Sequence, residues 1–483
     1  MVSPRARLIG SLAVFLITFA VYAALTPRVE QRLDPLTGDE PFYVMTAHNL
    51  LSGRGLDETD SWFNQDYNAF YPPDPVPYGW QGWPAFPRPL PPHDSKGTVP
   101  PGLYSKHGLG VPLLILPFWA AGQRLGVMLF LNGIGALVAS NVFLLALESS
   151  GKLWVGIALT AALAFSNPLM SYSFLIFPEI FAALFTLYAV RRIRHDRNNG
   201  WQTAGVAAAI AFLPWLHIRF VLLSLALAAW WFWKHFWDAP RLSKLAVLPL
   251  LPLSISAAAL LDYYFYLYRD FLPNAQDHGG VSGPLGTLYG AAGLLIDQQW
   301  GLLIYAPLYL VALAAVLVFL WRRSRDFGWW LAVVVPYSVL VANYAVWWGE
   351  WCPPARYLVA ILPLLVWPLA EALGQARWPG VVAGLGAPLA LIGWAAMAGF
   401  MADPQLMYNQ PTGRSELLLR LAGQTGLDLT SAIPSFVSPF AGLDLDVSWL
   451  VAVLLLALAF TIWLGWRQLE TPARGFVPTA AAA

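Results

Sequence analysis

Residues 5–25 read RARLIGSLAVFLITFAVYAAL, in which arginines precede a run of eighteen residues that carry no charge. An apolar helix of about 20 residues is long enough to cross the roughly 30 Å hydrocarbon core of a bilayer. The run is longer than the apolar core of a usual signal peptide, and no clear small-x-small cleavage site follows it. We therefore predict a retained first transmembrane helix with a cytoplasmic N-terminus.

The composition of the whole chain extends this prediction. Of the 483 residues, 58% are hydrophobic and 11% are charged, whereas soluble domains carry about 25% charged residues. A soluble fold cannot bury so much apolar surface, so lipid must solvate much of it. The net charge of +1 gives no indication of nucleic-acid binding, and the single cysteine, Cys352, excludes an intramolecular disulfide and a cysteine-based metal site.

Apolar runs along the chain predict an all-α polytopic membrane protein with about 12 transmembrane helices. With a cytoplasmic N-terminus, this number places nearly every basic cluster on the cytoplasmic side, as the positive-inside rule requires. A further apolar stretch, 109–121, contains two prolines. If it were a full span, all later basic clusters would lie outside. We therefore predict an interfacial or re-entrant segment there. The predicted spans are 8–25, 125–147, 153–172, 174–190, 202–216, 218–233, 244–267, 301–321, 327–347, 358–373, 380–400 and 447–466.

Three long segments then lie on the extracytoplasmic side, at 26–108, 268–300 and 401–446. We predict a transmembrane catalytic module over 1–400, an outer segment over 401–446, and a last transmembrane helix with a cytoplasmic tail over 447–483. The layout is unequal and shows no internal repeat, which argues against a transporter built from repeated halves.

The first outer loop opens with the acidic pair Asp39-Glu40, followed by Pro41, and proline is favoured in the first turn of a helix. Residues 41–51 read PFYVMTAHNLL and predict a short amphipathic helix on the outer membrane surface, with the two carboxylates at its N-terminus. A carboxylate at the water–lipid boundary suits a general base that deprotonates an acceptor hydroxyl. The alternative is that these acids only cap the helix.

The same loop ends in the motif YSKHG over residues 104–108. The ammonium group of Lys106 at the interface suits a phosphate, although lysines also reach water from membrane edges without binding anything. Between the two motifs, residues 71–101 contain eleven prolines together with Trp80 and Trp83, which excludes a helix or a central strand. This stretch is either a packed loop over an active site or a spacer.

Polar residues later in the chain are further candidates. Arg356 and Tyr357 open a late helix after several tryptophans, where the arginine suits either a phosphate or cation–π contacts. His217 and Arg219 lie at an outer turn between two short spans and face either a cavity or water. Glu179 starts a span and is either a second acid of the cavity or a favourable charge at a helix N-terminus.

The sequence contains no metal-binding motif. Its histidines are scattered, and neither an HExxH motif nor a paired-cysteine motif occurs. We therefore predict no metal ligands. A divalent cation that bridges Asp39 or Glu40 to a phosphate is compatible with the residues, but nothing in the sequence requires one.

The order of these motifs resembles the GT-C superfamily of membrane glycosyltransferases, which includes protein O-mannosyltransferases and aminoarabinose transferases. The resemblance covers residues 1–375 and rests on DEPFY at 39–43, YSKHGL at 104–109, and RYL at 356–358 with a proline inside the helix that follows. Some relatives have Lys-Pro-Pro in place of the residues 106–108 of this chain.

The resemblance implies a role for each matched residue. It implies that Asp39 is the catalytic base and that Glu40 assists it or binds the acceptor. It also implies that Lys106, with His107 beside it, and the Arg356-Tyr357 pair hold the phosphate of a lipid-linked donor.

We therefore expect a glycosyltransferase in the inner or plasma membrane, with both termini cytoplasmic. It would move a sugar from a polyprenyl-phosphate donor to a hydroxyl of a glycan, lipid or protein on the extracytoplasmic side. A transporter or lipid flippase would explain the spans but not the large first loop. A surface-polysaccharide ligase or polymerase would have its main outer loop late in the chain, where 401–446 is a candidate. A non-catalytic relative would keep the fold alone.

Overall fold

The computed structural model describes residues 3–33, 35–36, 38–71, 90–195, 200–234, 250–272, 282–322, 325–375, 379–437 and 443–469. Every regular element in these ranges is a helix, and an isolated antiparallel bridge joins Asp94 and Ser105. The all-α prediction is confirmed. The prolines and tryptophans at 72–89 lie outside the described residues, so the prediction for that stretch is not tested.

The described helices are numbered in chain order. They are α1 Pro4–Arg32, α2 Glu40–Leu51, α3 Thr59–Phe63, α4 Gly110–Ser150, α5 Leu153–Ala164, α6 Leu169–Tyr172, α7 Pro178–Ile193, α8 Gly200–Leu216, α9 Val221–Phe232, α10 Leu250–Tyr268, α11 Pro284–Ile296, α12 Leu302–Tyr305, α13 Leu308–Arg322, α14 Arg325–Ala342, α15 Val366–Gln375, α16 Pro379–Ala402, α17 Glu416–Thr425 and α18 Leu443–Leu469. Short 3-10 turns occur at Asp66–Ala69, Ile218–Phe220, Arg356–Leu358, Leu362–Leu365 and Pro404–Met407.

Two of the described helices, α1 and α4, are long and apolar enough to cross a membrane. The apolar side chains of α1 face outward from the protein; Leu8 is 71% exposed and Leu16 is 53% exposed. Such exposure suits a lipid environment, because water would penalise it. Seven shorter apolar helices accompany these two in the described part of the chain.

Helix α4 is not a straight rod, because the chain reverses at Gly122 and Gln123. The backbone is non-helical at both residues, and the φ of Gln123 is 47°. The rings of Phe118 and Phe130 stack with their centroids 3.9 Å apart, whereas twelve residues of continuous helix would separate them by about 18 Å. Residues 110–121 therefore fold back on the rest of α4, so this stretch does not form one continuous rod with the predicted span 125–147.

One predicted span is broken in the structure, and one predicted outer loop contains a helix. The run 153–172 is not one helix, because α5 ends at Ala164 and α6 begins only after Pro168; proline has no backbone N–H to continue a helix. The predicted outer loop 268–300 contains the apolar helix α11, which packs against α14.

The predicted surface position of α2 is also wrong. Its residues from Glu40 to Ala47 are all buried in the protein. The polar side chains that suggested a water-facing surface have internal partners: Thr46 donates to Glu58 at 2.6 Å, and Asn49 donates to the carbonyl groups of Gly55 and Asp57 at 2.9 Å. Because these partners satisfy its polar groups, α2 is a core helix beneath the first outer loop.

Candidate functional site

Seven of the nine residues that the sequence singled out line one cavity of about 410 Å³. They come from four separate parts of the chain: the start of α2, the end of the first outer loop, the turn between α8 and α9, and the 3-10 turn Arg356–Leu358. These residues are Asp39, Lys106, His107, His217, Arg219, Arg356 and Tyr357.

Asp39 occupies the N-cap position of α2, but its side chain makes no capping hydrogen bond. Its carboxylate instead forms an ion pair with Arg356, and the side chain remains 23% exposed. Burial on its own would raise the pKa of Asp39, but the charge of Arg356 and the hydrogen bond that it donates outweigh this effect and hold the pKa well below its usual value. Asp39 is thus ionised and faces the cavity.

Arg356 is held in place by the protein on three sides. Its Nε donates to Glu179 at 3.0 Å, its Nη1 donates to the carbonyl group of Gly349 at 3.0 Å, and its Nη2 donates to Asp39. These contacts use three of the five N–H donors of a guanidinium group. Arg356 therefore fixes the position of Asp39, a role that the sequence did not indicate.

Glu179 lies behind the cavity wall and does not line it, contrary to its prediction as a second acid of the cavity. Its side chain is fully buried and pairs with both Arg219 and Arg356. A buried arginine is costly unless an acid compensates its charge. Glu179 therefore allows two arginines to stand side by side at the edge of the cavity.

Lys106 differs from the two arginines because its ammonium group has no ion-pair partner among the described residues. It lines the cavity, and its backbone N–H donates to the carbonyl group of His93 at 2.9 Å. Asp39 and Glu179 pair with Arg219 and Arg356. The other charged residues of the cavity lining are Lys106 and the exposed Glu350, which form no ion pair with each other.

A narrow crevice adjoins the cavity at Lys106, His107 and His217. Its volume is about 30 Å³, and its walls include Trp215 of α8 together with Leu260 and several tyrosines of α10.

His93, which the sequence analysis missed, lies beside His107. Nδ1 of His93 is 3.2 Å from Nε2 of His107, and the ring of His93 stacks on Phe42 at a centroid distance of 3.6 Å. Burial lowers the pKa of His93 to about 4 and that of His107 to about 3, so both rings are neutral at pH 7. The sequence contained one signal for this histidine. The stretches HDSK, at 93–96, and SKHG, at 105–108, each combine a histidine with a nearby lysine, and a glycine-containing turn separates them.

Glu40 is turned away from the cavity. Its side chain is buried, accepts a hydrogen bond from the backbone N–H of Ile176 at 2.7 Å, and accepts another from the hydroxyl group of Tyr408. Burial raises its pKa despite the nearby charge of Arg124. The predicted catalytic role of Glu40 has no geometric support; the residue joins α2 to α7 and to the outer segment 401–446.

His217, Arg219 and Tyr357 also line the cavity. The guanidinium group of Arg219 lies 4.6 Å from the centre of the Tyr357 ring, and Nδ1 of His217 accepts a hydrogen bond from the backbone N–H of Arg219 at 3.2 Å. The hydroxyl group of Tyr337 donates to the carbonyl group of Tyr357 at 2.9 Å. These contacts hold the turn between α8 and α9 against the late 3-10 turn.

Comparison of the chain with protein-family models, with curated proteins and with solved structures finds no match in any of the three.

Proposed function

We propose that this protein is an integral membrane glycosyltransferase whose cavity opens on the extracytoplasmic side. The proposal includes the GT-C-like arrangement of about twelve spans with cytoplasmic termini, which the distribution of basic residues supports. The single observation that carries it is the convergence of Asp39, Lys106 and Arg356 on one cavity, although more than 300 residues separate the first from the last.

The proposed donor is a polyprenyl-phosphate sugar that enters from the lipid. Its phosphate binds at Lys106, the cation without an ion-pair partner in the described residues, which lines both the cavity and the crevice beside α8 and α10. A lysine is a compact point charge that suits a phosphate. The volume of the main cavity, about 410 Å³, suits a sugar together with an acceptor group.

The proposed reaction is a single displacement at the anomeric carbon. The acceptor hydroxyl oxygen forms a bond to this carbon while the bond from the carbon to the phosphate oxygen breaks, with inversion. The hydroxyl proton passes to Asp39, and the electron pair leaves with the polyprenyl phosphate. Lys106 stabilises the negative charge that grows on the leaving group.

Arg356 connects donor binding with the strength of the base. While Arg356 is paired with Asp39, the carboxylate is ionised but weakly basic. A donor phosphate attracts the same guanidinium group and so weakens its hold on Asp39. In this proposal the base reaches its full strength only when the donor is bound.

The test is the variant Asp39→Asn, which keeps the shape of the side chain and removes the base. Transfer from a panel of radiolabelled polyprenyl-phosphate sugars should fall by about 10²–10⁴-fold, the usual contribution of a general base. The matched control is Asp60→Asn, an exposed aspartate of the same loop, which should transfer at the wild-type rate. Near-normal turnover by Asp39→Asn would refute the proposal.

A further inference from the structure

Three potential metal ligands meet at the edge of the cavity. Asp39, His93 and His107 each offer one ligand atom, and these atoms all lie within 4.8 Å of one another. The two imidazole nitrogens are 3.2 Å apart. Two nitrogens bound to one tetrahedral Zn²⁺ at about 2.0–2.1 Å stand about 3.4 Å apart, so the pair already has nearly the spacing that a shared metal ion needs.

The backbone holds the two histidines in this position. The segments that carry them pair through the bridge between Asp94 and Ser105. The N–H of Lys106 donates to the carbonyl group of His93 at 2.9 Å, and the N–H of Ser95 donates to that of Tyr104 at 2.6 Å. A ligand set on paired segments loses little entropy when a metal binds.

A hydrogen bond between two neutral imidazoles would explain only part of this geometry. It accounts for the distance between the two nitrogens, and the ion pair with Arg356 holds Asp39, but neither contact requires the three ligand atoms to lie within 4.8 Å of one another. A metal ion uses all three groups. The side chains of the cluster are also partly exposed to the cavity, which gives an ion and its remaining ligands a path of entry.

We infer that Asp39, His93 and His107 form a binding site for a transition-metal dication, with Zn²⁺ as the best fit. Two imidazoles and one carboxylate suit Zn²⁺ and its neighbours, whereas Mg²⁺ and Ca²⁺ prefer oxygen ligands alone. Three protein ligands leave one coordination position for an oxygen of a molecule in the cavity. A role of the ion in sugar transfer rests on the proposed function, but the binding of the ion does not.

The experiment is a metal titration of the full-length protein, purified in detergent through a tag without histidine and stripped with chelator. Calorimetry with Zn²⁺ and the visible spectrum of added Co²⁺ measure binding without any sugar substrate. We expect one Zn²⁺ per chain, and a loss of affinity of at least about 100-fold in both His93→Ala and His107→Ala. The matched control is His48→Ala, a histidine of α2 beside Asp66, which should bind as the wild type does.

A second measurement separates loss of the site from loss of the fold. Zn²⁺ should raise the melting temperature of the wild type and of His48→Ala, because a ligand that binds only the native state stabilises it. It should leave the melting temperatures of both cluster variants unchanged, while their values without metal stay near the wild type. Failure of the wild type to bind Zn²⁺, or full binding by either cluster variant, would overturn the inference.

The outcome is separable from that of the transferase proposal. Zn²⁺ binding without sugar transfer by any donor would support the metal site and count against the enzyme. Sugar transfer that depends on Asp39 in a protein that binds no Zn²⁺ would support the enzyme and reject the metal site.

Discussion

The two ends of helix α7 carry buried charges of the same kinds in different surroundings. Its first turn contributes Glu179 to the outer cluster, which we define as Asp39, Glu179, Arg219 and Arg356. Its last turn contributes Arg191 to the inner cluster, defined as Glu148, Arg191, Arg194 and His195. The two positions are about 18 Å apart along the helix.

The inner cluster is satisfied by the protein alone. Nε of Arg191 lies 3.1 Å from Glu148, Nε2 of His195 lies 3.3 Å from the same carboxylate, and Arg194 lies 3.8 Å from the centre of the Trp367 ring. A groove of about 770 Å³ runs beside it, but its lining is mostly apolar. The outer cluster instead borders a polar cavity with Lys106 and two neutral histidines.

The difference between the two clusters shows that a buried ion pair does not by itself identify a ligand-binding site. Both ends contain arginines paired with glutamate, and such pairs compensate each other's burial wherever they occur. What distinguishes the outer end is Lys106, a cation without an ion-pair partner among the described residues, at a cavity whose lining includes several charged and polar side chains. Each of the following variants tests one side of the comparison.

The largest effect on stability should come from the inner cluster. Arg191→Met leaves Glu148 with a weaker set of partners in a buried position, so the free energy of unfolding should fall by about 3–5 kcal/mol. Sugar transfer per folded molecule should not change. Denaturation in detergent measures the first quantity, and activity normalised to the folded fraction measures the second.

The matched control is Arg192→Met at the next position, where the guanidinium lies 5.8 Å from the centre of the Tyr188 ring. Loss of a cation–π contact should cost about 1 kcal/mol or less. A loss of activity per folded Arg191→Met molecule as large as that of Asp39→Asn would break the distinction between the two ends.

The next effect concerns Glu58, a buried acid of the first outer loop that has no cation beside it. Burial raises the pKa of Glu58 from 4.5 to about 7, against the hydrogen bonds from Thr46 and Trp62. The native state therefore binds more protons than the unfolded state between these values, so stability should fall by about 3 kcal/mol as the pH rises from about 4 to 8. Glu58→Gln should remove most of this pH dependence, as unfolding free energies across that range would show.

Glu416→Gln is the control for Glu58, because the side chain of Glu416 is 56% exposed and faces solvent. It should leave the pH dependence as it is in the wild type. If the free energy of unfolding of Glu58→Gln changed with pH as steeply as that of the wild type, burial would not raise the pKa of Glu58. The contrast between this acid and the acids that have a cation beside them would then fail.

A smaller effect should follow removal of the cation that we assign to the donor phosphate. Lys106→Met should lower kcat/KM for the polyprenyl-phosphate sugar by about 10–100-fold, since a hydrogen bond to a charged group contributes about 1.5–3 kcal/mol. Lys96→Met is the matched control: Lys96 belongs to the same loop, is 63% exposed and pairs with Asp94. Equal kinetics in Lys106→Met and Lys96→Met would remove Lys106 from the donor site.

The smallest effect should come from the outer segment. Arg420 forms an exposed ion pair with Asp403 and Glu416, and such pairs contribute about 1 kcal/mol or less. Arg414→Ala and Arg420→Ala should therefore leave both stability and transfer almost unchanged. A severe loss of activity in either variant would favour a polysaccharide ligase or polymerase, whose site would lie in 401–446.

Local patterns predicted part of the fold and of the site. The separation of 109–121 from the span after it was predictable because Pro112 and Pro117 interrupt an apolar run. The helical start at Asp39-Glu40 was predictable from the proline that follows. The position of α2 was not legible, because a polar side chain such as Asn49 looks the same in a sequence whether its partner is water or a carbonyl group.

Prediction of the functional site from the sequence met the same limit. Arg356 was identified as a cation but not as the group that holds Asp39, and Glu179 was expected in the cavity rather than behind it. His93 was missed because it belongs to a loop with no periodicity, and only its position beside His107 gives it significance. Contacts between residues so distant in the chain have no local signature.

The sequence by itself determined that the chain is helical, apolar and suited to lipid, because these properties follow from composition and from the length of uncharged runs. It also determined which residue types are available for chemistry at the outer side. Only the tertiary structure decided which charges cancel and which remain beside a cavity, because that outcome depends on distances between segments that the chain brings together from far apart.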